Sequence, residues 1–400
     1  MNDLPICSVV GLGYVGQPLA IELCKAGYKV FGIDSSSKIV EDLMQGITQV
    51  EGIELDLLDP FISNGTFIPS TSFASIANSS AVFVCVPTPL DKSRSPNLQN
   101  LISATESVAK YLQEETLVVI ESTIAPGTTR EILLPLIQSI SGLLIDQINL
   151  AFSPERIDPL NSIWRLDNTP KLLAGVTKKS TRLANEIYSK FIKDIHICES
   201  LEVAEAAKLL ENTFRLVNIS FINEFSVICQ KMGINVVDVI NAAATKPYGF
   251  MAFYPGLGVG GHCIPVDPLY LSNKASEIGA PTKFIDLADQ INRDMPSFHV
   301  ARAEEKIQKL KGKKILVIGV AYKPNIADTR ETPVESLVVE LRKKGAIVAW
   351  HDDLVKDWHG EKSSQITGNY DLAIIATKHD YIDLKELGAV PILDTRNSLM

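Results

Sequence analysis

Gly11-Leu12-Gly13-Tyr14-Val15-Gly16 stands between an apolar run, Ile6 to Val10, and a helix-like stretch, Gln17 to Ala26. A second apolar run, Lys29 to Ile33, then ends at Asp34. Glycines at the first, third and sixth places of a strand-to-helix turn let bare backbone amides meet a pyrophosphate at the positive end of a helix. An acid about 20 residues further on is placed to accept from ribose hydroxyls and to repel a 2′-phosphate, so the unit predicts NAD rather than NADP. The ligand-free alternative is a tight strand–helix turn, and the complete βαβ pattern weighs against it.

Further apolar strand candidates, Ala81 to Val86, Leu117 to Ile120 and Ile148 to Phe152, are separated in part by helical patterns around Leu98 to Leu112 and Thr129 to Ser139. Such alternation predicts an α/β fold with a doubly wound parallel sheet. From Leu201 to Met232 the chain reads as one long proline-free helix, apolar on most sides, which must be buried between domains or between subunits. Its polar residues Glu205, Lys208, Asn212 and Arg215 recur at spacings of three and four, a single stripe of the kind that faces a wet cavity. A helix from about Ser297 to Leu310 leads into a second strand and glycine turn, 313 to 321, followed by strands at Ala346 to Trp350, Leu372 to Ala376 and Val390 to Leu393 and a helix over Glu331 to Lys344. This is a second α/β unit whose turn lacks the full glycine pattern.

At 400 residues the chain is expected to hold three domains. A formal charge of −9 gives no electrostatic reason to expect nucleic-acid binding. The six cysteines form no Cys-x-x-Cys pair and no Cys/His cluster at zinc spacing, so no metal is expected and a reducing, cytoplasmic compartment fits best. No signal peptide and no apolar run of roughly 20 residues is present, which predicts a soluble protein off the membrane.

Val86-Pro87-Thr88-Pro89, Glu121-Ser122-Thr123 and Ser153-Pro154-Glu155-Arg156 each follow a strand, at the edge where open α/β sheets bind ligands. Thr88 and Thr123 are candidates to bond the cofactor or a reacting oxygen, or the turns are plain loop punctuation; Glu155 by itself reads as a solvated surface acid. Lys208 and Asn212, one helical turn apart, present an ammonium beside an amide, a pair suited to an oxyanion or a catalytic water, against the bland alternative of a solvated face. Cys263 lies in Gly258-Val-Gly-Gly-His-Cys-Ile-Pro-Val-Asp-Pro268, a backbone glycine-rich enough to approach a ligand closely, with Asp267 four residues on. It is the candidate nucleophile, with Lys208 the candidate cation for its thiolate, while the other cysteines read as small buried hydrophobes and His262 as a packing residue. Lys323-Pro324-Asn325 and Arg330 are basic groups suited to a diphosphate or a cofactor, or plain surface charges.

These segments, with Glu205-x-x-Lys208-x-x-x-Asn212 and Pro255-Gly256 through Asp267, make the chain resemble the UDP-glucose/GDP-mannose dehydrogenase family over nearly its whole length. The resemblance implies two Rossmann-like domains joined by a helical central domain: an NAD-binding domain over 1–195, a dimerisation domain carrying Cys263 over 196–298 and a UDP-sugar-binding domain over 299–400. It implies oxidation of the C6 hydroxyl of a sugar nucleotide to a carboxylate with two NAD⁺. Cys263 would pass through a thiohemiacetal and a thioester, with Lys208 and Asn212 on the oxyanion and Asp267, Glu155 and Thr123 handling protons through a bound water. Gly11, Gly13, Tyr14, Val15, Gly16, Asp34, Pro87, Thr88, Thr123 and Arg330 would meet the cofactor. Glu155, Arg156, Lys208, Asn212, Phe253, Tyr254, Pro255, Gly256, Gly260 and Lys323 would meet the substrate, and the long helix would form a homodimer interface.

Two departures narrow the substrate. The UDP-glucose branch usually has lysine where this chain has Val266, and often a second glutamate where it has Pro159. Both resemble the branch acting on UDP-N-acetylhexosamines, with UDP-N-acetylglucosamine or UDP-N-acetylmannosamine favoured and UDP-glucose the runner-up. A non-catalytic NAD- and sugar-nucleotide-binding relative is a second reading. A two-electron hydroxyacid dehydrogenase is a third, and it leaves Cys263 without a task.

Overall fold

The computed structural model describes residues 4–48, 50, 53, 57–158, 161 and 163–396; Pro159 lies outside them. The chain forms two compact units, Met1–Leu210 and Glu211–Met400.

In the first unit β1 (Ile6–Val10), α1 (Gly16–Lys25) and β2 (Lys29–Ile33) form the expected βαβ opening, with Val10 opposite Ile33 in parallel register. There follow α2 (Ser37–Met44), α3 (Asp59–Ser63), β3 (Phe67–Ser70), β4 (Ala81–Val84), α4 (Gln99–Ala109), β5 (Leu117–Ile120), α5 (Leu134–Ser141), β6 (Asn149–Phe152), β7 (Lys171–Gly175), α6 (Lys178–Tyr188) and β8 (Ile195–Ile197). The sheet runs β3-β2-β1-β4-β5-β6-β7-β8. Strands β1, β4, β5 and β6 are apolar along nearly their whole length because helices cover both faces of a parallel sheet. One apolar cluster joins Leu19 and Leu23 of α1 to Ala184 and Ile187 of α6, and a second joins Leu101 and Val108 of α4 to Leu134 and Ile137 of α5.

Among the described residues of the first unit, three strands lie outside the expected set. Strand β3 carries Pro69, which lacks a ladder N–H and is tolerated because β3 is an edge strand. Strand β7 runs antiparallel to β6, with Phe152 opposite Ala174, and β8 pairs parallel to β7. Thr129–Leu133 adopts a π-helical turn ahead of α5, which displaces the expected start of that helix.

Helix α7 (Leu201–Met232) has the predicted bounds and continues into the second unit. Leu209, Leu216 and Ile222 are buried, whereas Leu210, Phe214, Phe221, Ile228 and Met232 are exposed. The exposed row recurs at spacings of four and seven, a continuous apolar stripe along one side of the helix.

The second unit continues with α8 (Val236–Ala244), α9 (Asp267–Glu277), α10 (Phe284–Ile307), β9 (Lys314–Ile318), α11 (Val334–Lys343), β10 (Ile347–His351), a short hairpin of β11 (Asp357–Trp358) and β12 (Glu361–Lys362), β13 (Leu372–Ile375) and β14 (Ile392–Asp394). Its sheet is parallel in the order β10-β9-β13-β14. Helix α10 begins well before the expected start at about Ser297, and it carries Pro296 inside it. Among the described residues no helix is long and apolar enough to cross a membrane, and no group of three His, Cys, Asp or Glu residues is placed to hold a metal.

Candidate active site

At the end of β1 the Gly11 amide donates to the Ile33 carbonyl (2.8 Å) with φ +94°, and a Cβ there would meet the Cys85 carbonyl oxygen at 2.8 Å. A Cβ on Gly16 would lie 1.8 Å from the Gly11 oxygen, whereas one on Gly13 would meet nothing within 4 Å. Two glycines therefore close the turn and the third leaves its outer face bare, the arrangement a pyrophosphate needs. Asp34 accepts from the Leu12 amide (2.9 Å) through one oxygen and from the Ser36 amide (2.9 Å) through the other, so its carboxylate is oriented yet only half-buried. These residues fit a bound NAD.

The loops after β4, β5 and β6 open at the same sheet edge because those strands are parallel. Thr88 is buried and its hydroxyl donates to the Thr123 carbonyl (2.8 Å), while Ser122 Oγ donates to the Val86 carbonyl (2.6 Å). Thr88 thus stitches two loops together. The Thr123 loop is anchored further along, where buried Glu205 of α7 accepts from the amides of Gly127 (2.6 Å) and Thr129 (3.0 Å) and from Thr129 Oγ1 (2.5 Å). Burial pushes the Glu205 carboxyl up to about 6 against these donors. Glu205 is a dry anchor, which corrects the expectation of a wet stripe. Arg215 is exposed and does not join the buried polar residues Glu205, Lys208 and Asn212.

Glu155 is not a free surface acid. One oxygen accepts from the amides of Arg156 (2.6 Å) and Ile157 (2.7 Å), and the other lies 3.8 Å from Lys171 Nζ. Lys171 is buried and pairs with buried Glu121 (2.7 Å), whose other oxygen accepts from the Tyr188 hydroxyl. Burial works against the Lys171 cation, but Glu121 and Glu155 outweigh it and hold the ammonium above its ordinary range. Arg156 Nη1 donates to the Pro170 carbonyl (2.5 Å), which ties the same loop down. The sequence marks Glu121 only as part of a motif and does not mark Lys171 or Tyr188 as site residues. The one available signal was a lysine opening the apolar run Leu172-Leu173-Ala174.

In the second unit, the glycine loop carries the candidate thiol. Five cysteines are buried and Cys263 alone is exposed. The Cys263 carbonyl accepts from the amides of Val266 (3.2 Å) and Asp267 (2.9 Å), a turn that leads directly into α9. Buried Asp267 accepts from Asn212 Nδ2 at 2.6 Å. The Gly256 amide donates to Asn223 Oδ1 (2.8 Å), and Asn223 in turn bonds Asn292 (2.9 Å), a buried relay between α7 and α10. A Cβ on Gly258 would strike the Asn292 carbonyl oxygen (2.7 Å), and one on Gly260 or Gly261 would strike Tyr322 (2.6 and 2.8 Å).

The glycines therefore make room for protein, seating the loop against the segment that carries Lys323 and Arg330. The Gly261 amide donates to the Arg330 carbonyl (3.0 Å), and the Arg330 guanidinium pairs with Asp328. His262 is held below its ordinary range by burial and by the Arg330 charge, in keeping with a packing residue. Phe253 packs edge-on to Phe214 (5.9 Å), buried Pro255 follows it, and Tyr254 is exposed with its hydroxyl on Asn241 (3.3 Å).

Residues 6–192 match the NAD binding domain of the UDP-glucose/GDP-mannose dehydrogenase family, 202–294 its central domain and 316–400 its UDP binding domain. The chain belongs to this family. The dehydrogenase is 36% identical to the UDP-N-acetyl-D-glucosamine 6-dehydrogenase of Pseudomonas aeruginosa over 97% of this chain and 93% of that one. It is 34% identical to the UDP-N-acetyl-D-mannosamine dehydrogenase of Methanococcus vannielii over 98% and 93%. The solved UDP-D-ManNAc dehydrogenase of Pyrococcus horikoshii superimposes with a TM-score of 0.91 at 33% identity, covering 98% of this chain and 95% of that one. The protein is an NAD-dependent nucleotide-sugar dehydrogenase with a UDP-sugar substrate.

Proposed function

We propose that the dehydrogenase oxidises the C6 hydroxyl of a UDP-N-acetylhexosamine, UDP-N-acetylglucosamine or UDP-N-acetylmannosamine, to the carboxylate by way of a covalent bond to Cys263. The observation that carries this reading is Cys263 itself, the exposed thiol among six cysteines, held in a turn beside the Asn212–Asp267 pair. The names of the similar dehydrogenases support the N-acetylhexosamine, as does Val266 in place of lysine.

Gly11, Gly13, Tyr14, Val15, Gly16 and Asp34, with Pro87, Thr88, Thr123 and Arg330, would hold the cofactor. Bound NAD⁺ supplies the two-electron acceptor for each of the two oxidations. After the first, the Cys263 sulfur bonds to the aldehyde carbon and the carbonyl oxygen becomes an oxyanion held by the Lys208 ammonium and the Asn212 amide. Loss of the second hydride from that carbon leaves a thioester. Water then adds to the acyl carbon, the C–S bond breaks, and the thiol leaves with a proton. Glu155, Asp267 and Thr123 take and return these protons. Arg156, Phe253 to Gly256, Gly260 and Lys323 would line the sugar nucleotide.

The division into 1–195, 196–298 and 299–400 is supported by the spans of the three family domains. The exposed stripe of Leu210, Phe214, Phe221, Ile228 and Met232 on α7 supports a homodimer through that helix, and the cysteine usage supports a cytoplasmic setting.

The test is NADH formation on UDP-glucose, UDP-N-acetylglucosamine, UDP-N-acetylmannosamine, UDP-N-acetylgalactosamine and GDP-mannose, with wild type and Cys263→Ser. Fastest turnover on one of the first two N-acetylhexosamines is expected. In Cys263→Ser steady-state turnover should collapse, because a serine ester is formed and hydrolysed far more slowly at neutral pH. Undiminished turnover in that variant removes the covalent route.

A further inference from the structure

Lys171 is a buried cation facing two carboxylates of different character. Its Nζ lies 2.7 Å from Glu121 and 3.8 Å from Glu155, with the Pro154 carbonyl at 3.5 Å and the Tyr188 ring centroid at 5.0 Å. The Glu121 side chain is 1% exposed and that of Glu155 16%. One acid is sealed and the other reaches the surface of the loop.

The sheet puts them there. Strand β7 runs antiparallel to β6 with Phe152 opposite Ala174, and this register carried three residues on sets Glu155 opposite Lys171. Ser153 Oγ donates to the Leu172 carbonyl (2.7 Å), holding the two chains together beyond the last ladder pair. Both oxygens of Glu155 are then fixed from inside the protein, one by the Arg156 and Ile157 amides and the other by the ammonium.

Stability alone does not account for this arrangement. A buried ion pair rarely outperforms a packed apolar pair of the same volume, and here the interior holds a cation, a carboxylate and a phenol in contact. What the cluster provides is orientation: a rigid base beneath a carboxylate that keeps part of its surface exposed.

We propose that Lys171, itself held by Glu121 and Tyr188, is a positioning residue that fixes the Glu155 carboxylate for proton transfer during the oxidation. This rests on the reading above that Glu155 handles protons.

The experiment is a double-mutant cycle in steady-state kinetics on the UDP-N-acetylhexosamine with the highest turnover, using Glu155→Gln, Lys171→Met and the two combined. Glu155→Gln should lower kcat on the order of 10²-fold, the scale for losing one general acid–base group. Lys171→Met should lower kcat roughly tenfold or more with the KM for NAD⁺ little changed, and should add less than about twofold in the Glu155→Gln background, because residues acting through one another are not additive. Lys171→Arg should recover most of the loss. Since Lys171→Met leaves Glu121 uncompensated, the cycle is repeated with Glu121→Gln/Lys171→Met, which removes both sealed charges together. Losses that multiply in both cycles, or an arginine variant no better than methionine, overturn the positioning role while leaving Glu155 in place. Full activity in Glu155→Gln overturns the reading of Glu155 and this proposal with it.

Discussion

The two glycine turns of this dehydrogenase share a backbone and differ in what they leave open. Gly11 and Gly319 have φ of +94° and +81°, and each amide donates 2.8 Å to the last residue of the neighbouring strand, Ile33 or His351. The next amide, Leu12 or Val320, donates 2.9 Å to an aspartate just past that strand, Asp34 or Asp352. In the first turn the third position is Gly13, facing empty space, and Asp34 is half-buried. In the second that position is buried Ala321, and Asp352 is buried as well. His379 Nε2 lies 3.1 Å from Asp352, while further amides from Ala321, Leu354 and Val355 fill its oxygens. The aspartate that could read a ribose in one turn is a structural anchor in the other. A Rossmann-like turn is thus a folding device first, and it becomes a dinucleotide site where side chains are withheld.

The sharpest break of this comparison is at the glycines. A Cβ on Gly319 would sit 1.7 Å from the Thr377 carbonyl oxygen in left-handed backbone, so Gly319→Ala should cost more than about 4 kcal/mol or prevent folding. Gly13→Ala should change stability by less than roughly 0.5 kcal/mol yet, on the proposed cofactor site, raise the KM for NAD⁺ tenfold or more, since its methyl would stand in the open space that a pyrophosphate would take. Thermal melts with NAD⁺ titrations separate the two effects, and an unaltered KM in Gly13→Ala would deny the open turn its ligand.

The aspartates give the next contrast. Asp352→Ala leaves His379 Nε2 and several amides unpaired in the interior and should destabilise by about 3–5 kcal/mol in denaturant melts, with little change in NAD⁺ affinity. Asp34→Ala should do the reverse, weakening NAD⁺ binding by about tenfold with a stability loss near 1 kcal/mol.

A smaller effect lies in acid. Burial pushes the Asp352 carboxyl up, but His379 and the Val355 and Val320 amides outweigh it and hold it below the ordinary 3.8. A depressed folded value means stability that is present above the unfolded value and lost as pH falls through the folded one. The advantage of wild type over Asp352→Asn should therefore be constant near neutrality and shrink below about pH 4. A gap that widens on acidification would contradict the assigned charge state.

Much of this was legible in the chain. The first turn, Asp34 and the bounds of α7 follow from local pattern, because glycine spacing, apolar runs and the absence of proline act over a few residues. Cys263 also stood out, since its glycines are adjacent in sequence. Side-chain partnerships across long separations did not stand out. Lys171 meets Glu121 from 50 residues away and Asn223 meets Asn292 from 69, and beyond the apolar run that Lys171 opens nothing near them in the chain marks the pairing. The glycines around Cys263 were legible as an allowance for close approach, but what approaches is Tyr322 and Asn292, a matter of tertiary packing. Glu155 was read as solvated because an acid after Ser-Pro carries no sign of the antiparallel strand that brings Lys171 beside it.

The count of NADH released per molecule of UDP-sugar consumed tests the central claim most directly. With the preferred UDP-N-acetylhexosamine the account predicts two, together with a uronic acid product. One NADH per sugar with an aldehyde as product would contradict it.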